Sequence, residues 1–160
     1  MTLTLDVQAA CSDPAPEESE LRRWLDCALG EAGHARDAEI SLRLTDEAEM
    51  AALNHRYRQR DGATNVLSFP ADLPPGLELP LLGDIVICAP VVLREAREQG
   101  KPADSHWAHM TVHGCLHLLG YDHIEMADAE IMESLETRIL AALGLPCPYT
   151  FSLEKERFAS

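Results

Sequence analysis

The sequence predicts an α/β fold of the layered α+β kind, in which a small mixed sheet of about four strands is covered by about five helices in a single domain over residues 1–160. Three observations lead there. Short apolar segments of period two alternate along the chain with longer segments of helical period. Glycine and proline stand at the ends of those segments. With 160 residues, the chain is long enough for one sizeable core and short for two.

Residues 2–8 alternate as a first strand. Asp13 before Pro14 marks a helix start, and Leu21, Trp24, Leu25, Ala28, Leu29 and Ala32 recur at helical spacing until Gly33. Residues 39–45 alternate as a half-buried strand. Asp46 with Glu49 three residues later resembles a capping box, opening a helix whose apolar stripe is Met50, Leu53 and Tyr57. Residues 66–69 read as a short strand, the proline-rich run 70–80 as a long surface loop, and residues 85–88 as a buried strand. Pro90 opens a helix that Gly100 ends, and a further helix from Asp104 to Leu119 stops at Gly120. The last helix, from Met126 to Leu143, carries an apolar stripe of Ile131, Leu135, Ile139 and Leu143 before Gly144 and Pro146 close it.

Composition excludes several classes. Hydrophobic residues are 46% of the chain and charged residues 25%, as in soluble globular proteins. The apolar stretches are too short for a membrane span, and the N-terminus lacks the basic region and apolar block of a signal peptide, so a cytoplasmic protein without a membrane partner is expected. The five cysteines are widely spaced, odd in number and without a C-x-x-C pair, so they read as small buried hydrophobes of a reducing compartment. Thirteen basic residues against 27 acidic ones give a net charge of −14, which offers no long-range attraction to nucleic acid.

The strongest chemical signal is His113-Gly114-Cys115-Leu116-His117-Leu118-Leu119-Gly120-Tyr121-Asp122-His123. Helical residues four apart share a face, so His113 and His117 aim their imidazoles at one point. Gly120 lets the chain leave the helix and turn back, bringing His123 to the same place. Three imidazoles with an open fourth position describe a catalytic zinc site, one ion per chain. The spacing is the skeleton of the metzincin peptidases, yet Gly114 stands where those enzymes carry their glutamate base. His106 and His109 extend the histidine stripe backwards along the same helix. His109 reads as a partner to a ligand histidine, a substrate-facing group or a polar lining of the cleft floor. Asp122 reads either as a partner that orients a ligand histidine or as a turn residue.

The only dense basic patch is His55-Arg56-Tyr57-Arg58-Gln59-Arg60. Arginine's planar, permanently charged fork suits a phosphate, although such a run also suits a solvated helix C-terminus.

These segments, taken together, resemble the YbeY family of bacterial endoribonucleases and ribosomal RNA maturation factors. The likeness runs through residues 53–58, 64–70, 83–87 and 113–123, and ends with Leu143-Gly144 and Pro148-Tyr149. The resemblance implies a zinc-bound hydrolase that cuts single-stranded RNA in the maturation and quality control of small-subunit ribosomal RNA. It puts zinc ligands at His113, His117 and His123 and the functional arginine at Arg58; Arg56 and Arg60 are candidate RNA-binding neighbours as members of the same basic patch. Given the acidic balance, RNA binding is expected to be weak, salt-sensitive and confined to that groove, with ribosomal proteins or assembly factors presenting the substrate and DNA not a partner. Two alternatives stay open: a metzincin-like zinc peptidase without its glutamate, and a non-enzymatic assembly factor stabilised by zinc.

Overall fold

The period-two segments pair into one four-stranded sheet of order β1-β2-β4-β3. The computed structural model describes residues 2–74, 76–77, 79–122 and 124–149. Strands β1 (Leu3–Ala9), β2 (Ala38–Thr45) and β4 (Leu81–Cys88) run parallel, and β3 (Val66–Pro70) lies antiparallel against β4 at the edge. Among the described residues five helices complete the order: α1 (Glu18–Glu31), α2 (Glu47–Arg58), α3 (Ala89–Gln99), α4 (Ala103–Leu118) and α5 (Met126–Ala142). No helix among the described residues is long and apolar enough to cross a membrane.

Alternation assigns the faces of the sheet. Leu3 and Leu5 of β1, Ile40, Leu42 and Leu44 of β2, and Ile85 and Ile87 of β4 join one core with α1, α4 and α5. On the other face Leu67, Val86 and Cys88 pack with Met50 of α2 and Val91 of α3 in a smaller cluster. Helix α4 is buried nearly all round, from Ser105 through Val112 and again at Gly114, Cys115, Leu116 and Leu118. A helix enclosed in this way is held by its neighbours on every side. Burial pushes the Cys115 thiol up to about 12, which makes it a core atom and no nucleophile.

Four local expectations need correction. Helix α1 begins at Glu18, not after Asp13, because Pro16 follows Pro14 and disfavours helical backbone at Ala15. The Asp46 side chain accepts the Glu49 N–H at 2.8 Å as a capping box requires, but the Glu49 carboxylate turns to Arg43 instead of completing the box. In α5 the buried face is Met132, Leu135, Glu136, Ile139 and Leu140, whereas Ile131 is 58% exposed. The helix is thus rotated from the expected stripe so that an acidic residue points inward. Strand β4 also begins four residues before the expected Ile85, and a bulge interrupts its register with β2 between Glu39 and Ile40. Gly83 sits at that bulge with φ of +140°, and an added Cβ would lie 2.2 Å from the Phe69 carbonyl oxygen.

Two contacts anchor α4 to the β3 edge. At Gly114 an added Cβ would meet Ile85 Cγ2 at 2.8 Å and Ser68 Oγ at 3.3 Å. The same approach lets the Ser68 hydroxyl donate to the Gly114 carbonyl at 3.0 Å. At the helix's other end, Glu95 of α3 accepts from Asn65 Nδ2 at 3.1 Å and from His106 Nε2 at 2.9 Å, joining α3, α4 and the start of β3. Burial pushes the Glu95 carboxyl up, but the hydrogen bonds from His106 and Asn65 outweigh it and hold it below the usual range.

Two outcomes follow. Gly114→Ala overpacks the α4–sheet contact and is expected to cost about 1–3 kcal/mol in denaturant unfolding, with Gly114→Glu costing more. A carboxyl whose pKa is lowered by folding stabilises above its unfolded value, near 4.3, and loses that contribution as pH falls through the lower folded value. The stability gap between wild type and Glu95→Gln, measured by urea unfolding, should be constant near neutrality and shrink once the pH drops below about 4.3. A gap independent of pH would refute the reading of Glu95 as an ionised acceptor of these hydrogen bonds.

Candidate metal centre and its cleft

The last two turns of α4 set His113 above His117, with ring centroids 4.6 Å apart. Their Nε2 atoms lie 3.1 Å from each other. Two nitrogens each about 2.0–2.1 Å from a tetrahedral ion would be separated by about 3.3 Å, so this pair already has the spacing of two ligands on one metal. Helix α4 closes with a Schellman turn: Gly120 N–H bonds the His117 carbonyl, Tyr121 N–H bonds the Leu116 carbonyl, and Gly120 takes φ of +99°. The turn releases the chain just before His123, which lies outside the described residues.

The opposite side of the His113 ring meets Glu136 of α5. Its Nδ1 is 2.7 Å from Oε1, while Oε2 lies 2.7 Å from His109 Nε2 and accepts the Tyr149 hydroxyl. Burial pushes the Glu136 carboxyl up, but its contacts with His109 and His113 more than reverse this and hold it far below the usual range, so it is a carboxylate. Burial lowers the pKa of His109, which keeps that ring neutral and leaves Nε2–H as the donor. The same burial, with the adjoining Glu136 charge, pushes the Tyr149 phenol upward, so it keeps its proton and donates.

His109, His113 and Glu136 bring ligand atoms within 4.8 Å of one another and could themselves hold a metal ion. The 2.7 Å separations are hydrogen-bond lengths, however, and Glu136 at the centre of the group is fully buried. We therefore read Glu136 and His109 as a shell behind His113, with the Nε2 atoms of His113 and His117 as the donors that face the cleft.

That cleft lies between α4 and the open edge of β3, with a volume of about 380 Å³, and its walls include Arg58, Asn65, Ser68, His113 and His117. Alternate β3 residues turn their backbone towards β4, since the Asn65 carbonyl accepts from Cys88 and the Ala71 N–H donates to Leu82. Val66, Ser68 and Pro70 consequently face the open edge. There the Ser68 carbonyl accepts from Arg58 Nη2 at 2.9 Å, and the guanidinium carbon lies 5.4 Å from the Phe69 ring centre. Arg58 is the last residue of α2, which ends because Gln59 adopts left-handed backbone at φ of 53°. One of its five donors is thus spent on orientation.

The other expected site residues scatter around this point. Arg60, Asp122 and Ile124 line an adjoining hollow of about 740 Å³ that shares Arg58 and His117. Arg56 lies over the Tyr57 ring at 5.2 Å and does not line either hollow. Asp122 accepts the Ile124 N–H at 2.8 Å, the turn role among its two expected readings. His109 is buried and directed at Glu136, not at the cleft. Glu136 escaped the sequence reading, although its signal was available: it falls one turn after Met132 and one before Leu140, an acidic residue at an apolar position of α5.

Comparison with known proteins agrees with this architecture. A family model described as "Endoribonuclease YbeY" matches residues 8–144. Proteins of that name from Pseudomonas entomophila (strain L48) and Pseudomonas putida (strain KT2440) are each 59% identical over 92% of this chain and 93% of their own length. The one from Stutzerimonas stutzeri (strain A1501) is 57% identical over 92% of this chain and 91% of its own. A solution structure of a Thermotoga maritima protein superposes with a TM-score of 0.53 at 24% identity, covering 88% of this chain and 91% of that one, and so supports the fold. Matched over residues 8–144 and at this level of identity, the chain belongs to the YbeY family.

Proposed function

We propose that the chain is a zinc-dependent endoribonuclease that cleaves single-stranded RNA in the cytoplasm, acting in the maturation and quality control of small-subunit ribosomal RNA. The observation that carries this reading is the pair of Nε2 atoms, 3.1 Å apart, in the wall of the cleft that also holds Arg58. His113 and His117, with His123 as third ligand, would hold one zinc ion. When bound there, zinc supplies Lewis acidity to a phosphoryl oxygen and to water.

The chain's own groups do the rest. Arg58, steadied by the Ser68 carbonyl, directs its charge into the cleft, where negative charge grows on the phosphate oxygens in the transition state. Arg60 adds a second cation in the adjoining hollow, beside Asp61 and Asp122, where it could meet the next phosphate of the backbone. The nucleophile is water or the 2′-hydroxyl of the RNA. At the position of a metzincin base stands Gly114, which packs on Ile85 and supplies no carboxylate; this speaks against the peptidase alternative. The net charge of −14 favours delivery of the substrate by ribosomal proteins or assembly factors over capture from bulk solution.

The test incubates single-stranded RNA with the wild type, with His117→Ala and with chelator-treated protein, and measures zinc on each preparation. Cleavage by the wild type alone, with zinc lost from both controls, is expected. Arg58→Ala should keep its zinc and lose about 100- to 1,000-fold in kcat, the usual cost of one transition-state donor. Equal cleavage in all samples, or no cleavage by a zinc-loaded wild type, would overturn the nuclease reading.

A further inference from the structure

Glu136 is fully buried on α5, among Met132, Leu135, Ile139 and Leu140. A carboxylate in such a place is costly unless donors surround it. Three do: His113 Nδ1 on Oε1, and His109 Nε2 with the Tyr149 hydroxyl on Oε2. They come from two turns of α4 and from the segment after α5. This is more machinery than joining two helices requires, since a Leu at the same position would do that without a charge.

We propose that Glu136 is the positioning residue of the metal centre, holding His113 in the tautomer that binds metal, and that Tyr149 and His109 clamp it in place. The inference rests on the zinc reading given above. An ionised carboxylate only accepts, so each of its partners must donate. His113 therefore carries its proton on Nδ1, and its lone pair lies on Nε2, the atom 3.1 Å from Nε2 of His117. The opposite tautomer would put a proton where the ion belongs. The carboxylate also places a buried negative charge one imidazole away from the position of the cation. On the other side His109 Nε2 lies 2.7 Å from Oε2 and fixes the carboxylate from its far oxygen. Tyr149 supplies the third bond, which couples the chain beyond α5 to a centre on α4.

Two readouts separate positioning from simple packing. The first is long-range nitrogen–proton NMR of the histidine rings in metal-free protein. It should report His113 as the Nδ1–H tautomer in the wild type and a shift towards Nε2–H in Glu136→Gln, whose amide can donate as well as accept. The second is zinc affinity from competition with a chromophoric chelator, expected to fall about 10- to 100-fold in Glu136→Gln. Tyr149→Phe keeps the carboxylate and removes one donor, so it should fold and show a smaller loss in the same direction; it carries the test if Glu136→Gln does not fold. An unchanged tautomer and unchanged zinc affinity in a folded Glu136→Gln, with only its melting temperature lowered, would overturn the proposal. A wild type that takes up no zinc would defeat the metal reading, while the tautomer measurement on the same metal-free samples would still decide whether Glu136 sets the ring.

Discussion

Helix α4 approaches the β3–β4 pair so closely at Gly114 that no side chain fits between them, and the cleft inherits its geometry from that contact. A helix enclosed by α1, α3, α5 and the sheet has little freedom to rotate, because close-packed interiors resist even methyl-sized changes. One residue before Gly114 and three after it stand His113 and His117. With Gly114 pressed onto Ile85 and Ser68 bonded to its carbonyl, both rings are turned away from the sheet and over the open edge of β3. The glycine that replaces a peptidase's glutamate is thus a packing residue, and the loss of a base is the chemical consequence of a steric requirement.

Charge is distributed so that a strongly acidic chain sets two arginines beside the cleft, with Asp61 and Asp122 lining the adjoining hollow. Arg58 and Arg60 stand at the end of α2, where cations also favour the helix dipole. Arg58 is placed by the edge-strand carbonyl of Ser68 and by the Phe69 ring, so its position depends on β3 as much as on its own helix. On the inner side of the histidines the sign reverses, with a buried carboxylate behind His113. A metal ion between these regions would have an anion behind one of its ligands and a cation across the cleft, an arrangement suited to drawing a phosphate towards the ion.

Much of the architecture was legible in the chain. Alternation identified β1 and β2, short apolar runs identified β3 and the second half of β4, and glycine at positions 100 and 120 marked the ends of α3 and α4 correctly, because left-handed backbone is a local requirement that a local residue type meets. Local rules also failed where a second rule competed. Pro14 alone signals a helix start, but Pro16 postpones it to Glu18. In α5 the count of apolar residues selected a stripe through Ile131, whereas packing buried the face through Met132 and Glu136, where Glu136 meets His109, His113 and Tyr149.

What the sequence by itself determined was therefore periodic or local: the order of elements, the helical pairing of His113 with His117, the turn at Gly120 and the basic run ending α2. Family membership was legible too, because it rests on motifs in order along the chain. Only the tertiary structure decided which distant residues meet. It joined Arg58 to Ser68 and both to the histidine cleft, separated Arg56 from them, and set Glu136 against His113 across 23 positions of chain. The reason is physical: spacing along one helix specifies which side chains share a face, but the partner of that face depends on how whole elements pack, and no period in the sequence records it.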